Sequence, residues 1–134
     1  MATLAVDYAR PHSRTALWTG RALSGFAAAF MTFDAALHLA KPAIVTDAFT
    51  QLGFPASQSV TIGAIALIAV ILYLTPRTAV MGSILLTGYL GGAIATQMRI
   101  GAPVFNLIFP ILIAALFWGG LALRDRRVAR WLIA

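Results

Sequence analysis

Apolar residues dominate four stretches of the chain, from about Leu17 to Leu39, Val60 to Leu74, Ala79 to Thr96 and Val104 to Leu123. A helix needs about 20 mainly apolar residues to cross a bilayer core about 30 Å thick. Each stretch meets or approaches that length, the second being short. Helix-stopping residues separate them. Lys41-Pro42 closes the first, Gly53-Phe54-Pro55 lies in the loop that follows, Thr75-Pro76-Arg77-Thr78 makes a tight turn, and Gly101-Ala102-Pro103 divides the third from the fourth. Proline lacks a backbone donor and pushes the residue before it away from helix, so each break has a mechanism. Membrane-spanning strands would alternate polar and apolar residues, whereas Ala64 to Leu74 is apolar without a gap. A helix satisfies its own backbone and tolerates apolar residues all round. The pattern predicts an all-α fold, a four-helix transmembrane bundle.

Flanking segments complete the organisation. Residues 1–16 contain Arg10, His12 and Arg14 and are too polar to span. They suit an interfacial segment with Leu4, Tyr8 and Leu17 as anchors, although Pro11 interrupts it. Residues 17–123 form the spanning domain and 124–134 a basic tail. The first apolar run is too long for a cleaved signal peptide and reads as a retained anchor.

Composition sharpens the choice of solvent. Apolar residues make up 60% of the 134 and charged ones 10%, against about 45–50% and about 25% in a soluble domain. So short a chain has too little interior to hide that surface, which argues against a soluble monomer. Disorder is excluded, since it needs low hydrophobicity and high net charge. The net charge is +6, with no glutamate. In so apolar a chain the anionic counterpart is lipid headgroups, not nucleic acid. The absence of cysteine excludes disulfides, thiolate metal sites and dithiol redox chemistry.

The basic residues also give a direction. With four spans, both termini and the middle turn share one side, which holds Arg10, Arg14, Arg21, Arg77, Arg124, Arg126, Arg127 and Arg130; only Lys41 and Arg99 fall on the other. The positive-inside rule places the first side, and with it both termini, in the cytoplasm. The tail around Trp131 reads as a topology anchor with an interfacial tryptophan ahead of a recruitment signal.

Packing and chemistry rest on the few non-apolar residues. Gly88 and Gly92 form a GxxxG pair that Thr96 extends, and the fourth span offers Gly119. Such small residues let helices approach, here within the bundle in preference to a homodimer seam. Asp34 and His38, four apart, share a face of the first span. Asp34 lies roughly 20 Å along the helix from Arg21, in the outer half of the bilayer. Gln97 and Arg99 end the third span on that side, Gln58, Ser59 and Thr61 begin the second, and Asn106 begins the fourth with Pro110 nearby. Ionisable groups at such depth are costly and mark candidate sites. Arg99 is the expected charge partner of Asp34, with His38 orienting the carboxylate or sharing its proton, either as a functional site or as a cluster fixing helix register. Tyr89 joins the candidates from about two turns inward of Thr96. No catalytic residue and no metal are assigned. HExxH, Walker and GxSxG motifs are absent, and His12 and His38, the only histidines, fall on opposite sides, which excludes a bis-histidine haem within one chain.

The run Leu86-Thr87-Gly88-Tyr89-Leu90-Gly91-Gly92-Ala93-Ile94-Ala95-Thr96-Gln97-Met98-Arg99-Ile100-Gly101-Ala102-Pro103 resembles the signature of the DoxX-like family of small bacterial membrane proteins. Phe33-Asp34-Ala35-Ala36-Leu37-His38-Leu39, Gln51-Leu52-Gly53-Phe54-Pro55, Leu72-Tyr73-Leu74-Thr75-Pro76-Arg77-Thr78 and Phe117-Trp118-Gly119-Gly120-Leu121-Ala122-Leu123-Arg124-Asp125 agree in order and spacing. The resemblance implies a four-helix protein of the bacterial inner membrane, in a family whose name derives from a subunit associated with a thiosulfate:quinone oxidoreductase. His38 stands where the family often has lysine and Gln97 where it often has histidine, a pair that would keep one imidazole in the outer cluster if the two side chains meet. Two functions follow as expectations. One is a non-catalytic accessory subunit or small structural protein, packed against a larger membrane complex or a second copy. The other is a site for a quinone or another apolar molecule at the outer mouth, bounded by Asp34, His38, Tyr89, Gln97 and Arg99.

Overall fold

The computed structural model describes residues 13–134. Among them six helices and no strand occur: α1 (Arg14–Ala40), α2 (Ala43–Gln51), α3 (Gln58–Leu74), α4 (Ala79–Arg99), α5 (Val104–Arg124) and α6 (Arg126–Ile133). Helix α1 begins three residues earlier than its apolar run predicts, because Ser13 caps it, its side chain accepting from the Ala16 amide at 3.1 Å. Most of the expected interfacial segment, including Arg10 and His12, lies outside the described residues. At the other end Lys41 takes a left-handed conformation (φ 51°), and its amide closes the last turn on Leu37. Helices α2 and α6 are additions to the predicted pattern, in the first loop and in the basic tail.

The four long helices pack as a ring. α1 lies against α3 and α5, and α4 lies against the same two, so α1 and α4 face each other across it. Short connections make neighbours antiparallel. In the Thr75–Thr78 turn the Thr78 hydroxyl donates to the Leu72 carbonyl at 2.9 Å.

What packs inside is small. Ala27, Ala28 and Ala35 of α1 and Ala66 and Ala69 of α3 are buried, with Met31, Val70, Tyr73, Leu86, Ile113 and Phe117 filling the space between. The close approaches are made by glycines at other places than the sequence motif suggests. A Cβ on Gly120 would stand 2.5 Å from Ser24 Oγ and 3.1 Å from the Gly20 carbonyl, joining α1 to α5. One on Gly63 would stand 3.0 Å from the Ala35 carbonyl, joining α1 to α3. Gly88, Gly92 and Gly119, expected to pack the bundle, have nothing within 4 Å of where a Cβ would sit. Their helices meet their neighbours through Ser83, Leu86 and Leu90 on α4 and Ile113, Phe117 and Leu121 on α5. Helical periodicity then turns the glycine stripe outward.

The outside is large and apolar. Phe26, Phe33, Ile65, Ile68, Ile71, Met81, Ile84, Ile111 and Leu112 are all exposed. A chain that buries alanine and exposes phenylalanine and isoleucine on all four long helices has an apolar solvent. α1, α4 and α5 are each long and apolar enough to cross a membrane; α3, at 17 residues, is apolar but shorter.

Candidate polar site

Two residues four apart on α1 begin the site. His38 Nδ1 lies 2.8 Å from the Asp34 carbonyl and 3.7 Å from Asp34 Oδ2. A carbonyl only accepts, so Nδ1 carries the proton, and in the neutral ring Nε2 is left as an acceptor. Across the ring, the Tyr89 hydroxyl of α4 donates to Asp34 Oδ2 at 2.8 Å. This bond ties together the two long helices that face each other. The Asp34 and His38 side chains keep 31% and 18% of their surface exposed, so the trio is reachable.

Arg99 is elsewhere, and the expected Asp34–Arg99 pair is not formed. Asp34 is level with Tyr89, and Arg99 lies roughly 15 Å further along α4. Its guanidinium donates to the Leu52 carbonyl and stands 5.9 Å over the Phe54 ring. Gly53, at φ 77°, lets the chain turn beneath it. Gln97 points to a third partner, its Oε1 accepting from Asn106 Nδ2 at 3.4 Å, which links α4 to α5. Thr96 bonds its own helix at the Ala93 carbonyl. His38 and Gln97 therefore engage different neighbours, and the idea that they share one imidazole position has no contact behind it.

Helix α2 closes this end, which apolar periodicity alone does not foretell. Phe49, buried, meets the His38 ring edge-on at 5.5 Å and leans on Phe54 at 6.2 Å. The buried Ser59 hydroxyl donates to the His38 carbonyl at 2.7 Å, tying the start of α3 to the end of α1. An open groove of about 610 Å³ lies along α1 between Gly25 and Ala36, lined by Ala28, Ala29, Thr32 and Phe33, with Leu74 of α3 at its Gly25 end.

A second polar centre lies at the opposite end. The Tyr73 hydroxyl is fully buried, 2.8 Å from Ser24 Oγ and 3.0 Å from the Phe117 carbonyl. It has one proton and the carbonyl can only accept, so Tyr73 donates to Phe117 and accepts from Ser24. The Arg124 guanidinium stands 5.4 Å from the Tyr73 ring centre, and its Nη2 is buried with no hydrogen-bond partner among the described residues.

Small side chains inside, large apolar ones outside and three helices of spanning length define a helical membrane protein. The chain belongs to the DoxX-like family, which it matches over residues 22–120, from early in α1 to near the end of α5. Comparison with curated proteins and with solved structures gives no match.

Proposed function

We propose that the protein is a four-span, non-catalytic accessory or structural protein of the bacterial inner membrane, with both termini cytoplasmic. The observation that carries this reading is the bond from Tyr89 to Asp34 at 2.8 Å across the ring. The outer polar groups are spent on one another and on backbone carbonyls, which is how a polar cluster fixes helix register in a membrane. α3 supplies the second span: about 26 Å long at 1.5 Å per residue, it is flanked by α1 and α4 along its length. The outward face of α4, with Gly88, Gly91 and Gly92 open, is the surface on which a partner helix or a second copy would seat. Asp34→Asn and Tyr89→Phe should both lower the amount of folded protein in the membrane, and native mass in mild detergent should exceed that of one chain. Full accumulation of both variants as monomers would refute the structural role. Since the chain has no cysteine, single cysteines at Ser13 and Thr50 report topology directly. Only the second should react with an impermeant maleimide added to intact cells.

The exposure left to Asp34 and His38 favours a second reading. A phenol, an imidazole and a carboxylate stand together there, and a quinone carbonyl would bind by taking the Tyr89 or His38 proton away from Asp34. Quinone extracted from the purified protein and lost in Asp34→Ala would support it; pure protein free of quinone would count against it.

A further inference from the structure

We propose that α6 is an interfacial helix that binds the phosphate headgroups of anionic phospholipids, with Arg126 and Arg127 as headgroup ligands. Its geometry is amphipathic. Val128, Trp131 and Leu132, spaced three and four apart, share one face, while Arg126 and Arg130 share the opposite one with Arg127 at its flank. Asp125 starts the helix, its side chain accepting from the Arg127 amide at 2.8 Å, and against its one negative charge the segment carries Arg126, Arg127 and Arg130. Val128 is buried in the core and seats the helix on the end of the bundle. The rest of that apolar face overhangs the edge, with Trp131 87% and Leu132 53% exposed.

An overhanging tryptophan and leucine beneath a basic face match the boundary between acyl chains and headgroups. An acidic protein or a nucleic acid would satisfy the arginines and leave Trp131 and Leu132 in water. The charge here is concentrated. Arg21, exposed on α1, and Arg77, exposed in the α3–α4 turn, lie at the same end of the ring. Anionic lipid attracts each basic residue near its surface. The inference rests on the reading of this end as a membrane surface.

The test uses the full chain, purified in mild detergent and examined by native mass spectrometry with phosphatidylglycerol or phosphatidylcholine at matched concentration. The wild type should retain phosphatidylglycerol preferentially. Arg126→Gln with Arg127→Gln should lose that preference by roughly fivefold per arginine removed, and Arg77→Gln should lose less. Arg127→Gln alone, at an exposed position, serves if the double variant does not fold. Equal retention of the two lipids, an unchanged preference in the variants, complete competition by millimolar inorganic phosphate, or tighter binding of polyglutamate than of lipid would each overturn the proposal. Retention in detergent does not depend on the direction of insertion. Its failure therefore leaves the cysteine-labelling result standing, and the reverse.

Discussion

Gly82 is the position at which the α3–α4 hairpin leaves least room, and Gly82→Ala tests the packing directly. Its new methyl would lie 2.5 Å from Tyr73 Cα and 2.8 Å from the Leu72 carbonyl carbon, with the Tyr73 amide nitrogen closer still. Carbon atoms in contact prefer about 3.5–4.0 Å, so the helices must separate by on the order of 1 Å. The obstacle is backbone and cannot rotate aside, and Tyr73, fully buried with its hydroxyl between Ser24 and Phe117, would move with it. Overpacking of this kind costs about 1–3 kcal/mol, against a gain of about 0.5–1 kcal/mol for alanine over glycine within a helix. The expected net is a loss of about 1 kcal/mol, or about 3–6 °C in melting temperature by the scaling of soluble domains. Gly92→Ala is the matched control. Nothing within the chain lies within 4 Å of its Cβ position, so in a sample of unchanged mass only the helix preference acts and the melting temperature should hold or rise. The assay is thermal unfolding in one detergent, followed by circular dichroism, with native mass recorded alongside. If Gly82→Ala melts at or above the wild type, or Gly92→Ala melts well below it at unchanged mass, the packing described here is wrong.

Other positions separate single interactions. Tyr89→Phe removes the hydroxyl from Asp34 and should cost about 1–3 kcal/mol in the same melting assay; a neutral result would show that the cross-ring bond is not made in the membrane protein. Tyr73→Phe leaves the Phe117 carbonyl and the Ser24 hydroxyl buried without that partner. A loss of about 1–3 kcal/mol is expected, and an unchanged melting temperature would refute the bond. Gly53→Ala and Gly101→Ala both force a side chain into left-handed backbone, φ 77° and 64°, at about 1–2 kcal/mol. Only the first also displaces Arg99 from the Leu52 carbonyl, because its Cβ would lie 2.6 Å from the Arg99 Nη2. It should therefore loosen the loop between α2 and α3, read as faster proteolysis there, whereas Gly101→Ala should not.

How much was legible in the sequence follows from which forces are local. Helix positions were legible because the apolar runs and the prolines between them act through neighbouring residues. The apolar solvent was legible too, since the excess of apolar residues can be counted without knowing who touches whom. The Asp34–His38 neighbourhood followed from a four-residue spacing on one helix. Depth along each helix was estimated from a rise per residue, good enough to group polar residues at one end and too coarse to pair them. That is why the sequence pattern pairs Arg99 with Asp34, whereas the bond to Asp34 comes from Tyr89.

What the tertiary structure alone decided is rotation and register. Gly88 and Gly92 make a packing motif in sequence, yet a helix presents only one side to its neighbours, and α4 presents Ser83, Leu86 and Leu90. The same stripe on a helix turned by about half a revolution would have been the core. The close approaches at Gly20, Gly63, Gly82 and Gly120 carry no motif, because each is defined by atoms of another helix. The fold of α2 over His38 and of α6 across the opposite end likewise depends on Phe49 and Val128 finding places in surfaces made by distant residues. Local sequence determined that this chain is helical and lives in lipid. Which scarce polar groups meet was decided by how four helices turn to bury alanine against alanine.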